Sequence, residues 1–145
     1  MHHPGRASLV ILLWFALASC ISATPAEESG AAATAAVVRG LVDDPTTAVF
    51  LLPLSGSDPD LTLQAAVVAE LDDLETVRFV DDAEEAFDGD GVRDGAVLLR
   101  VGSVPSGDRP VVTVERILSA NRSTLVTVAL ERSGDEWRVL SVSDA

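Results

Sequence analysis

The chain has 145 residues, and its 23 Asp and Glu outnumber ten basic residues, all Arg, for a formal net charge of −13. Such a surface repels a phosphate backbone at the points where it should attract one, which excludes nucleic acid as a partner, and an anionic bilayer surface repels it as well. Cys20 is the single cysteine, so no intramolecular disulfide can form and the fold must rest on its core.

His2, His3 and Arg6 form a short basic start, and the apolar run from Leu9 to Leu17 follows. This is the layout of a secretory signal, and the run is shorter than the roughly 20 residues of a comfortable membrane span. It closes on Leu17-Ala18-Ser19-Cys20, a branched residue, two small residues and a cysteine, and this resembles the lipobox of bacterial lipoproteins. The resemblance implies diacylglycerol on the Cys20 sulfur, cleavage just before it, and a lipid-anchored position at the extracytoplasmic face of the cell membrane. Where the source has a second membrane, Ile21 in place of Asp is compatible with transfer to the outer one. Two or more acyl chains, palmitate among them, would hold the chain stably, where a single chain is marginal. An ordinary cleaved signal, with Ser22-Ala23 as its small-residue site, and an uncleaved helix are the alternatives.

Residues 20–43 read as a flexible tether, because Ser, Thr, Pro, Glu and Gly give way to a string of Ala with no periodic apolar face. Alanine permits a short helix over residues 31–39, which this reading keeps out of the core. A single domain over residues 44–145 follows. Residues 48–54 form a compact apolar run with the signature of a buried strand. Asp58 as cap, Pro59 at the first helical position and Asp60 in the first turn then predict a helix to about Leu74. Its apolar side would carry Leu61, Ala65, Val68 and Leu71.

Residues 76–80 read as a second strand, and Asp82-Ala83-Glu84-Glu85 has capping-box spacing for a short helix ending near Phe87. From Ala96 the apolar period becomes two, which predicts strands over 96–101, 111–118, 124–132 and 136–142, joined by turn-rich connections such as Ser133-Gly134-Asp135. The expected fold is α+β: strand, helix, strand, short helix, then an antiparallel four-stranded meander. Trp137 would cover the sheet.

Once residues 1–19 are removed, the chain has no His, Lys or Tyr, and the one thiol carries lipid. A serine nucleophile would then lack its base, a zinc site its ligands and Schiff-base chemistry its amine. Carboxylates are the only general acids and bases left, and nothing singles out a pair. No enzyme, no catalytic residue, no metal and no cofactor is expected. Asp88-Gly89-Asp90-Gly91 opens like a calcium loop, but Val92 and Arg93 occupy the fifth and sixth positions and the distal Glu is missing. The acidic segment containing Asp81, Asp82, Glu84 and Glu85 is the candidate partner-binding face.

Two further resemblances bear on function. Ala48-Val49-Phe50-Leu51, a helix ending in Glu70-Leu71, Val77-Arg78-Phe79-Val80 and Asp82-Ala83-Glu84-Glu85-Ala86-Phe87 look like the extracellular domain of the cell-division permease FtsX. That resemblance implies a module that binds regulators of cell-wall hydrolases. The ending over residues 124–142, around Ser133-Gly134-Asp135-Glu136-Trp137-Arg138-Val139, is similar to the tail of NTF2-like domains, which implies small-ligand binding. The expected function is a lipid-anchored, non-enzymatic interaction module that binds a cell-envelope protein, with an NTF2-like ligand-binding lipoprotein as the alternative. A concave apolar pocket would favour the second.

Overall fold

The computed structural model describes residues 24–53 and 60–145. The first element is helix α1, Pro25–Leu41. Its start is well signalled: Thr24 Oγ1 accepts the Glu27 N–H at 3.2 Å, Pro25 opens the first turn, and Glu27 and Glu28 sit at the positive end of the dipole. Within it Ala31, Ala33, Ala35, Val37 and Val38 have no exposed surface at all. This corrects the tether expected over 20–43, since most of that segment is a core helix. Small side chains let the helix approach its neighbours closely, and burial of Val37 and Val38 contributes roughly 1.5 kcal/mol or more each.

Strand β1, Ala48–Leu52, is buried over its last four residues and lies between two parallel neighbours, as its unbroken apolar sequence requires. It pairs with β2, Val77–Phe79, on one side and with β5, Ala96–Val101, on the other. The crossover from β1 to β2 is helix α2, Leu61–Glu70. Asp60 caps α2, its Oδ1 accepting the Leu63 N–H at 3.0 Å, whereas the sequence pointed to Asp58; that residue and Pro59 lie outside the described residues. The buried face also differs from expectation. Of the expected side only Leu71 faces the core, together with Val67 and Leu74 and with Leu63 and Ala66 beside them, while Leu61, Ala65 and Val68 are exposed.

After β2 a 3-10 turn, Ala83–Ala86, leads into a small hairpin of β3, Phe87–Asp88, and β4, Gly91–Val92. Strands β6, Val111–Ser119, β7, Arg122–Ser133, and β8, Glu136–Asp144, then extend the sheet antiparallel from β5. The fold is α+β with a mixed sheet. The four-strand antiparallel run β5 to β8 is present, but it is continuous with a parallel half, so the sheet is mixed rather than an antiparallel meander. With α2 as the crossover β1 and β2 run parallel, the pairing in which a strand is commonly buried on both faces.

Both helices cover one face of the sheet, on Val49, Leu51, Leu99, Val112, Val114, Val128 and Leu130. Trp137 and Val139 of β8 pack at the margin of this core, as expected for the tryptophan. Helices α1 and α2 are also tied at their far ends: Arg39 donates to the Glu70 carbonyl and reaches Asp73 Oδ1 at 2.7 Å. The second face carries a smaller cluster of Phe50, Leu52, Leu98 and Ile117, covered by Val80 and Ala86. Guanidinium groups of Arg93 and Arg78 stand 5.2 and 5.7 Å from the Phe50 ring centre, each contact worth about 0.5–1 kcal/mol at an exposed site. Beyond this cluster the face is polar, with Arg100 paired to Glu115 and Glu131 held between Arg138 and Arg109.

Candidate functional site

Parallel strands of an α/β unit deliver their carboxyl ends to one edge of the sheet, where the chain must turn away and leave a crevice. Here β1 ends in Leu51-Leu52-Pro53, β2 in Phe79 and β5 in Val101-Gly102-Ser103-Val104, and these residues form one side of a cavity of about 470 Å³. Helix α1 contributes Ala26, Glu27, Gly30 and Thr34 from its N-terminal half. Helix α2 contributes Asp60, Leu63, Gln64 and Val67 from its first two turns. The volume falls within the roughly 300–1,000 Å³ range of small-molecule sites, and the walls are mainly apolar with a few convergent polar groups, which is the usual composition of such sites.

The local causes of this geometry can be read in the residues. Gly30 faces α2 without a side chain, and a Cβ added there would meet only Leu63 Cδ1, at 3.9 Å. The place of the missing side chain is therefore part of the cavity that Gly30 and Leu63 both line, whereas farther along α1 the buried Ala35, Val37 and Val38 are enclosed in the core. On the sheet side, Gly102 runs so close to β6 that a Cβ would stand 2.7 Å from the Thr113 carbonyl oxygen, and its own N–H donates to that oxygen at 2.8 Å. Strand β5 is pinned there just before it leaves the sheet, which fixes Ser103 and Val104 at the rim.

The electrostatics of the lining are of one sign. Glu27 and Asp60 are its charged residues among those described, and both are acids. One oxygen of Asp60 is occupied in capping α2. Glu27 Oε2 is cut off from solvent and has no hydrogen-bond partner among the described residues, an unfavourable state for a charged oxygen without compensation. The arrangement can hold an apolar body and offer it hydrogen-bond acceptors. Among the described residues no His, Cys, Asp and Glu group is placed to hold a metal ion.

The sites expected from the sequence lie elsewhere. Cys20 is outside the described residues. Asp81, Asp82, Glu84 and Glu85 cluster at the 3-10 turn, whose Ala83 and Ala86 pack on the opposite face of the sheet from the helices. Two of the four are engaged locally. Asp82 accepts the Glu84 N–H at 3.0 Å, and Glu85 Oε2 accepts the Asp81 and Asp82 N–H groups at 3.0 and 3.3 Å. Glu85 also faces Arg78 at 3.6 Å. This is the capping box that the spacing predicted, and it gives Asp82 and Glu85 a structural task. Asp88-Gly89-Asp90-Gly91 is the tip of the β3–β4 hairpin, with Gly89 at φ 69° in the first central position of a two-residue turn.

Sequence reasoning missed the cavity, because it placed the α1 wall in a tether. The signal available was Thr24 and Pro25 followed by Glu27 and Glu28, a helix start six residues before the Ala31 from which alanine makes a helix plain. Among the described residues no helix is long and apolar enough to cross a membrane. Comparison with family models, with curated proteins and with solved structures finds no match to this chain.

Proposed function

We propose that the chain is a lipoprotein, anchored through acyl chains on Cys20 at the extracytoplasmic face of the membrane, whose domain binds a small, largely apolar molecule between α1 and α2. The observation that carries the binding reading is the cavity of about 470 Å³ at the carboxyl ends of β1, β2 and β5. At about 30 Å³ for each non-hydrogen atom, the share of a water in the liquid, it has room for a ligand of roughly fifteen such atoms. The anchor reading rests on the lipobox-like Leu17-Ala18-Ser19-Cys20 behind an apolar run. The domain works as a binding module and not as an enzyme, in keeping with a chain from Cys20 onward that has no His, Lys or Tyr. Ligand binding is also what the NTF2-like resemblance implies. Protein binding through the acidic turn has less support, since Asp82 and Glu85 are occupied in capping it.

The binding half is tested by native mass spectrometry of the full chain purified from its host membrane, beside a Gly30→Leu variant that fills the cavity from α1. A bound small molecule on the wild type and none on the variant is the expected result; an equal load on both, or none on either, refutes it. The anchor half is tested separately, by labelled fatty acid and membrane partition of wild type and Cys20→Ala. Equal labelling and partition of the two would refute it.

A further inference from the structure

The charge of the cavity and its place along the chain together narrow what it takes. A neutral or anionic apolar ligand that filled the space would leave the Glu27 carboxylate, one oxygen of which is already cut off from solvent, in a medium of low dielectric with nothing opposite it, which is strongly unfavourable. Asp60 gives no relief, being of the same sign and already engaged with the Leu63 N–H. No Arg lines the cavity among the described residues. A ligand that brings its own positive charge removes the penalty and gains a charge-assisted interaction with the Glu27 carboxylate, which lines the cavity and whose Oε2 has no partner among the described residues.

The second observation is positional. Ala26 and Glu27 line the cavity, and they follow Cys20 by six and seven residues. A stretch of six residues spans at most about 20 Å when fully extended. An anchor on Cys20 therefore holds the Glu27 end of the cavity beside the bilayer, where amphiphiles are concentrated, rather than at the end of a long tether.

We infer that the cavity takes an amine-bearing amphiphile presented at the bilayer beside the anchor, with its hydrocarbon part against Leu51, Leu63, Val67 and Phe79 and its ammonium group on Glu27. This inference rests on the ligand-binding reading, whose ligand class it supplies, and its placement at the bilayer rests on the anchor reading. A ten-carbon primary amine fits the volume, and its head group brings a positive charge to a wall whose charged residues, among those described, are both acids.

The test uses the full chain reconstituted in phosphatidylcholine vesicles that carry decylamine, decanol or decanoate, each with a photoactivatable diazirine in the alkyl chain. Adducts are located by peptide mass spectrometry. The expected result on the wild type is labelling of the segments around Gly30, Gln64 and Ser103 by the amine at about ten times the level given by the alcohol, with the carboxylate lowest. Glu27→Gln should bring the amine down to the level of the alcohol, and Gly30→Leu should abolish labelling of these segments by all three probes. Equal labelling by amine and alcohol in the wild type overturns the inference and leaves the cavity as a general apolar site. Absence of labelling there by every probe overturns the inference and the ligand-binding reading together. The comparison of the three probes on the wild type decides the matter even if a variant folds poorly.

Discussion

Substitution of Gly40 by Ala separates a docked α1 from a tether by the sign of its effect. Gly40 is in the last turn of α1, and a Cβ there would stand 2.9 Å from Val139 Cγ2 and 3.4 Å from Cγ1. Val139 is β-branched and held in β8, so its methyl groups cannot swing aside as the end of a long side chain would. Forcing one methyl group into a packed contact costs about 1–3 kcal/mol. Replacing Gly by Ala within a helix returns up to about 1 kcal/mol. The net expectation is a loss of as much as about 2 kcal/mol, which for a domain of this size lowers the melting temperature by several degrees. In an undocked segment only the favourable part would remain, and the protein would be unchanged or slightly more stable. Urea unfolding followed by circular dichroism measures the change, and Val139→Ala in the same background should relieve it, with a coupling of about 1 kcal/mol or more between the two sites. A stabilising Gly40→Ala, or additive single and double variants, would refute the packing of α1 on β8.

Other expectations follow from the same packing and charges. Ala35→Asp places an unpaired charge at a fully buried position of α1 and should cost at least about 3 kcal/mol, read as loss of cooperative unfolding; limited proteolysis of the wild type should leave residues 25–41 intact. Asp82→Ala removes the acceptor of the capping box and should cost about 1 kcal/mol, while leaving cavity labelling by decylamine unaltered, because the turn lies on the other face of the sheet. The Arg39 hydrogen bond holds the Asp73 carboxyl below its ordinary range, the Thr46 backbone N–H does the same for Asp44, and Arg138, with Arg109 beside it, does so for Glu131. A carboxylate depressed in the folded state contributes stability that is present above its unfolded pKa and lost as pH falls through the folded one. Acid titration should therefore show stability declining below about pH 4, with a shallower decline in Asp73→Asn; an unchanged acid limb in that variant would contradict the Arg39–Asp73 link.

How far the fold was legible depends on the residues that carried each element. The strands of the antiparallel half could be read from alternation, and the turn at Gly134, with φ 64°, needed a glycine and showed it. The capping box at Asp82 and Glu85 was likewise explicit in its spacing. Helix α2 was legible as a helix but not in its orientation: Leu61-Thr62-Leu63-Gln64-Ala65-Ala66-Val67-Val68 is apolar on nearly every side, so periodicity offers two faces and only tertiary contact selects Leu63, Val67 and Leu71. Helix α1 was hidden for the opposite reason. Ala31, Ala33, Ala35 and Ala36 bury little area each and produce no apolar stripe, yet their smallness is what allows the backbone to press against α2 and the sheet. The parallel pairing of β1 with β5 joins segments with three other strands, β2, β3 and β4, between them in the chain, and no local signal encodes it. The cavity needed α1, α2 and that pairing together, and so it could not be read before all three were in place.

Methyl chemical-shift mapping on the leucines and valines of the full chain, titrated with decylamine, tests the central claim most directly. If the ligand sits between α1 and α2, shifts will concentrate on Leu51, Leu63, Val67, Val101 and Val104, which line the cavity, and Gly30→Leu will suppress them. Shifts centred instead on the exposed Leu125, Leu140 and Val142 of the antiparallel strands, or no saturable shifts at all, would contradict it.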